Sequence, residues 1–205
     1  MTPMPISWIN RRTFLTGLAA ASALAWAGLP ARAMSQAEAR ALIGSVMGDV
    51  HGIINSGRDE AQVLRDFAAL FNRYGDIPVI ARSVLGPPAR SASAGQLSAF
   101  TEAYRGYMAR KYGRQFHRFS GARAEVTGAR QVQSHWEVIS TMTMSGEAPF
   151  EVRWHVSDRS GRHLFFNLSI EGGTLLAAER QEIGAMLERR GGNIDRMIQD
   201  LRSAG

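Results

Sequence analysis

Residues 134–171, SHWEVISTMTMSGEAPFEVRWHVSDRSGRHLFFNLSIE, alternate with period two in three consecutive runs. Trp136, Val138, Met142 and Met144 share one parity in the first run. Phe150, Val152, Trp154 and Val156 do so in the second, and Leu164, Phe166, Leu168 and Ile170 in the third. Successive side chains of a strand point to opposite faces, so these residues predict one continuous apolar wall. The other parity carries His135, Glu137, Thr141, Thr143, Glu151, Arg153, His155, His163, Asn167 and Ser169, which predicts a wet face. Ser145-Gly146-Glu147 and Asp158-Arg159-Ser160-Gly161 are turn signals between the runs, so the strands are expected to be antiparallel neighbours. Arg123–Thr127 reads as a short strand ahead of them.

On either side of this sheet the apolar period changes from two to that of a helix. Upstream, Leu42, Ile43, Val46, Met47, Val50 and Ile54 predict a helix over 36–54, interrupted by Gly44, Gly48 and Gly52, which suit close packing. Val63, Leu64, Phe67, Leu70 and Phe71 predict a second over 59–74. Asp76 reads as an N-cap with Pro78 in the first turn, opening a short helix that ends at Gly86. Leu97, Phe100, Tyr104, Tyr107 and Met108 trace the stripe of a helix that starts near Ser93. Downstream, Leu175, Leu176, Ile183, Met186 and Leu187, then Ile194, Met197, Ile198 and Leu201, predict two more. Helices, then about four antiparallel strands, then helices argue for an α+β domain, with helices from both ends of the chain on one face of the sheet.

The first 33 of the 205 residues read as a cleavable export signal. Arg11-Arg12 precedes a mild apolar run, Phe14–Leu29, and Ala31-Arg32-Ala33 offers small residues where a signal peptidase reads. The paired arginines point to the twin-arginine route, and the run is too short and too rich in Ala and Gly for a spanning anchor. The expected mature chain is 34–205, a single domain in the periplasm. Its loss of three arginines and no acid takes the formal net charge from +6 to +3. That weak balance argues for no nucleic-acid partner. With no cysteine the fold has no disulfide and relies on its core.

Catalytic motifs are missing: there is no G-x-S-x-G, no H-E-x-x-H and no Gly-rich phosphate loop. No catalytic residue is therefore assigned. The histidines are His51, His117, His135, His155 and His163, and a His135–His155 pair on neighbouring strands is short of a zinc ligand set, so no metal is expected. Along the wall the one polar position is Ser140. An enzyme pocket above it would need a carboxylate or histidine within hydrogen-bond reach of substrate, and Glu102 and Asp66 each lie beside arginine, as surface residues do. The wall and the Phe100-Tyr104-Tyr107 stripe suit a filled core or the lining of an apolar cavity, and sequence alone does not separate the two. Arg105, Arg110, Lys111 and Arg114 read as a solvated helix face or as a docking patch for lipid headgroups or an acidic partner.

Three stretches carry a resemblance: Tyr74-Gly75-Asp76-Ile77 through Ile80-Ala81-Arg82-Ser83-Val84-Leu85-Gly86; Ser93 through Phe100, Tyr104 and Tyr112-Gly113; and Ile170-Glu171-Gly172-Gly173-Thr174-Leu175 with Arg180 and Arg190-Gly191-Gly192. In this order and spacing the chain, from about Phe67 to Leu201, resembles the MlaC (toluene-tolerance, Ttg-type) family of periplasmic phospholipid-binding proteins. It departs from the family pattern at Pro88-Ala89-Arg90, where the arginine stands without an aromatic neighbour, and near His163 and Asn167. The resemblance implies a sheet and helices around an apolar pocket that holds the acyl chains. Phe67, Phe71, Phe100, Tyr104 and Tyr107 would line it from the helices. Trp136, Val138, Met142, Phe150, Val152, Trp154, Phe166 and Leu168 would line it from the wall. It further implies a shuttle without covalent chemistry or cofactor, carrying phospholipid as cargo between an outer-membrane lipoprotein–porin complex and an inner-membrane ABC transporter. A polycyclic, hopanoid-type cargo, an exported enzyme with a cone-shaped pocket and a lipid-free adaptor are the alternatives.

Overall fold

A computed structural model describes residues 33–115 and 119–205. The arginine pair and apolar run that read as an export signal, Arg32, and His117 lie outside the described residues. Among the described residues the helices are α1 (Gln36–Ile54), α2 (Glu60–Tyr74), α3 (Ile77–Leu85), α4 (Ala94–Gly113), α5 (Leu175–Arg189) and α6 (Ile194–Ser203). The strands are β1 (Arg123–Val132), β2 (His135–Thr143), β3 (Phe150–Ser157), β4 (Leu164–Ile170) and the two-residue β5 (Gly173–Thr174). They form one open sheet in the order β1-β2-β3-β4-β5, each antiparallel to the next. The fold is α+β.

The helices start where short polar side chains can take up the unpaired amides of a first turn. Ser35, Asp59, Asp76, Ser93, Thr174 and Asn193 each accept a backbone N–H two or three residues into their helix. Each such cap is worth about 1 kcal/mol. Ser35 and Ser93 close full capping boxes with Glu38 and Gln96. Gly44, Gly48 and Gly52 do not serve close packing: a Cβ built on any of them meets no atom within 4 Å. They weaken an exposed face of α1. Gly48→Ala is therefore expected to stabilise the fold by about 0.5–1 kcal/mol, read as a higher urea midpoint with an unchanged slope.

The helices cover the apolar face of the sheet. α1 lies over β1 and β2, while α3 and α5 lie over β4; α4 packs on α2, α3 and α6. Two carbonyls of the edge strand β1 are taken by α1: Gln36 Nε2 donates to the Ala129 oxygen at 2.7 Å and Arg40 donates to that of Val126 at 3.0 Å. At the other side Gly75 forms a parallel bridge with Phe165, and the Asp76 amide donates to the Phe165 carbonyl at 2.8 Å. A side chain at Gly75 would stand 2.9 Å from the Phe71 carbonyl oxygen of α2 and 3.3 Å from the Phe165 ring of β4, so the junction of helix end and strand needs glycine.

Two strands differ from their sequence reading, both because of an extra residue in the ladder. β1 is twice the length expected, running to Val132. Its register shifts between Val126 and Gly128, which breaks the alternation at Thr127 and hides the second half. β4 shifts between its pairings with His155 and Val156, so that Phe165, not Phe166, faces Val156.

Candidate functional site

Cross-strand pairs assemble the wall as Trp136–Val156, Val138–Trp154, Ser140–Val152 and Met142–Phe150 between β2 and β3. Trp154–Leu168 and Val152–Ile170 continue it onto β4. Its polar atoms are turned inward on one another. The Trp154 indole N–H donates to Ser140 Oγ at 3.0 Å, Ser140 donates to the Val152 carbonyl at 3.3 Å, and the Trp136 indole donates to the Met34 carbonyl at 2.8 Å. What remains to offer a ligand is hydrocarbon and ring surface.

The wall is unevenly covered. Val138, Ser140, Val152, Val156 and Phe165 are buried, and Trp154 and Phe71 both meet the Phe165 ring edge-on. Met142, Met144, Phe150 and Leu168 are half-buried, and Ile170 is 41% exposed. One end is thus sealed by protein and the other opens toward solvent.

Phe166 is not on this wall. The β4 bulge turns it to the opposite face, where its ring meets His135 and His155 edge-on at 5.4 and 5.9 Å between centroids. Phe165 takes its place, a residue missed by reading parity through the bulge; in a Phe165-Phe166 doublet period two carries no sign of which ring turns inward. The helix residues Phe67, Phe100, Tyr104 and Tyr107 are buried in the helical layer. Phe100 stacks on Tyr104 at 5.7 Å, and the Tyr104 and Tyr107 hydroxyls donate to Glu179 at 3.5 Å and Glu182 at 2.5 Å on α5. Tyr112 and Lys111 also donate to Glu179, each at 2.6 Å, and Lys111 bonds Glu182 as well. These tyrosines are tied to an ionic cluster that sequence spacing did not reveal, because its partners lie some 70 residues apart along the chain.

The cations of α4 and its C-cap Arg114 are likewise engaged within the protein. Arg105 pairs with Glu102, Arg110 donates to the Leu201 and Ala204 carbonyls at the end of α6, and Arg114 meets Glu60 and the Gly205 carbonyl. Asp66 pairs with Arg58. A docking patch built on these groups would have to break those contacts first.

On the outer face His135 and His155 stack at 5.2 Å, with the Nδ1 of His155 3.2 Å from the Nε2 of His135 and its Nε2 3.1 Å from Ser169 Oγ. Glu137, bridged by Arg130 and Arg153, lies beside them, near a cleft of about 580 Å³ lined by Glu137, Phe150, Glu151, Arg153 and Ser169. Among the described residues no group of three or more metal-ligating side chains comes together. Burial lowers the pKa of both histidines; for His155 the neighbouring His135 adds to it, and for His135 the Arg159 charge does, with Glu137 opposing in each case. A histidine whose folded pKa is depressed binds fewer protons than its unfolded counterpart. Stability should therefore fall as pH drops from about 6.5, the unfolded value. Melting at pH 7.5 and 5.0 checks this: the wild-type loss is expected to exceed that of His135→Phe/His155→Phe.

A family profile described as "MlaC protein" matches residues 45–203. No curated protein matches the chain. Among solved structures, the chain is similar to the phospholipid-binding protein from Ralstonia solanacearum in complex with a phospholipid. The two share 17% identity over 80% of this chain and 95% of that one, with a TM-score of 0.69. At that identity the likeness is one of fold. No helix among the described residues is long and apolar enough to cross a membrane.

Proposed function

The chain belongs to the MlaC family, and from that premise we propose that it is a periplasmic phospholipid carrier which shields acyl chains against the apolar wall of β2, β3 and β4. The observation that carries the reading is the wall itself. Its carboxylates and histidines are all on the other face, its indoles and its serine are hydrogen-bonded inward, and its Met142–Phe150–Leu168–Ile170 end is incompletely covered. The phospholipid bound by the Ralstonia protein of the same fold supports it.

The physics of such a carrier is transfer of hydrocarbon out of water. Each methylene withdrawn is worth about 0.8 kcal/mol, so ten of them supply about 8 kcal/mol. That is enough to hold a lipid through an aqueous crossing, and no bond is made or broken. The acyl chains enter from the half-open end, lie along Met142, Phe150, Val152, Trp154 and Leu168, and part the helical layer from the sheet as they do so. Loading and release are exchanges with an outer-membrane lipoprotein–porin complex and an inner-membrane ABC transporter. Residues 1–33 direct export and are removed.

Protein exported by its own signal and purified without detergent is expected to release phospholipid on organic extraction, close to one molecule per chain by mass spectrometry. Protein that is lipid-free and takes up none from vesicles would overturn the reading, and a polycyclic lipid in the extract would replace the cargo.

A further inference from the structure

Met34 is held at three points. Its side chain is 6% exposed within the core, its carbonyl accepts the Trp136 indole at 2.8 Å, and its backbone nitrogen donates to Asp158 Oδ2 at 2.7 Å. Directly after it comes the Ser35–Glu38 capping box that starts α1. Directly before it stands Ala33, exposed beside a cleft of about 200 Å³. Ala33 closes the Ala31-Arg32-Ala33 triplet of small residues that suits an export peptidase. Sequence alone leaves the exact cut open among the small residues before it. The structure supplies a second, independent mark at this bond, a carboxylate already aimed at the nitrogen.

We propose that Asp158 is the receptor for the N-terminus freed when the chain is cut between Ala33 and Met34, a step that rests on the export reading above. Hydrolysis by an export peptidase adds one water. The Ala33 carbonyl carbon keeps the hydroxyl and leaves as a carboxylate, and the Met34 nitrogen takes the proton and becomes an α-amine. With an ordinary pKa near 8 it is an ammonium at neutral pH. The neutral amide-to-carboxylate bond of the precursor thereby becomes an ion pair in the same place, and charge-assisted bonds are the stronger kind. The other charged or titratable groups around this corner are Glu38, occupied with Ser35, and Arg159, which bonds Ser134, together with His135 at the cleft wall. Processing therefore does more than release the protein. It completes a clasp between the start of α1 and the β3–β4 turn that the precursor has only in weaker form. A cut elsewhere would either leave the nitrogen in an amide or remove Met34 from the core.

Amine chemistry tests this cleanly, because Lys111 is the sole lysine in the sequence and it is engaged by Glu179 and Glu182. The full chain is exported by its own signal, purified and weighed intact, then acetylated at pH 8 and followed by peptide mass spectrometry. The expected mass starts at Met34. The α-amine should acetylate about fivefold more slowly than in Asp158→Asn, since at pH 8 a rise in pKa from near 8 to near 9 withholds that much free amine. Acetylating the wild type should lower its Tm by about 4 °C. A different first residue would overturn the proposal. So would equal acetylation rates in the two proteins or, should Asp158→Asn fail to fold, an unchanged Tm on acetylation of the wild type. Lipid content plays no part in these readouts, so the proposal and the carrier reading fail separately.

Discussion

Leu168→Asp is expected to lose more than 90% of its co-purifying lipid and still fold. Leu168 faces Trp154 across the β3–β4 ladder and is half-buried at the open end of the wall. Without lipid an aspartate there reaches water and costs the fold about 1–2 kcal/mol, an ordinary surface-to-intermediate change. With acyl chains against it the carboxylate is cut off from solvent with no partner. Burying an unpaired polar or charged group costs at least a few kcal/mol, and each 1.4 kcal/mol is tenfold in affinity. The control is Phe166→Ala. Read by parity alone it belongs to the same wall and should cost lipid; on the histidine face, where the bulge places it, it should leave lipid content unchanged. Lipid per chain by mass spectrometry, with circular dichroism to confirm folding, separates the two. Full lipid occupancy in Leu168→Asp would move the acyl chains off this wall.

Glu179→Ala is expected to lower stability by about 3 kcal/mol and Tm by roughly 6–12 °C. Glu179 is fully buried on α5, yet it accepts Lys111 and the hydroxyls of Tyr104 and Tyr112 from α4. Removing it leaves two hydroxyls without that acceptor and a largely buried ammonium with Glu182 alone. Burial by itself would lower the Lys111 pKa, but the hydrogen bonds from Glu179 and Glu182 outweigh it and the pKa is raised. A raised lysine contributes fully below its unfolded value near 10.5 and loses that contribution as pH climbs through the folded one. For Glu182 burial acts upward, bonds to Lys111 and Tyr107 act downward more strongly, and the pKa is lowered. Its contribution is present above the unfolded value and fades in acid. The cluster is therefore intact at neutral pH, and denaturation at pH 7 is the relevant measurement. Adding Lys111→Met to the alanine variant should recover part of the loss, because it removes the orphaned charge. A loss below 1 kcal/mol for Glu179→Ala would show the cluster to be incidental.

Much of this molecule was legible because it is written in local chemistry. Asp76 and Ser93 announce their helices by the hydrogen bonds that such side chains give a first turn, and the paired wall of β2 and β3 follows from strict alternation. Reading failed where one residue was inserted into a ladder. At Thr127 and at the Phe165-Phe166 doublet a bulge costs little, leaves the composition unchanged and inverts every parity beyond it. The ionic cluster of Lys111, Glu179 and Glu182 was invisible for a different reason: it depends on which helices meet, and nothing in either helix alone requires the other. The glycines of α1 misled in the opposite sense, since a spacing of four suits a helix crossing and these three face open solvent.

The hold of α1 on β1 has a consequence for the protein in bulk. An open sheet ends in an edge whose free carbonyls and amides invite a strand from another molecule, and stacking of that kind leads to fibrils. Gln36 and Arg40 occupy two of those carbonyls with side chains that cannot propagate a ladder. The first helix thus doubles as a guard against self-association, and dispersal of this protein at high concentration depends on that helix staying seated.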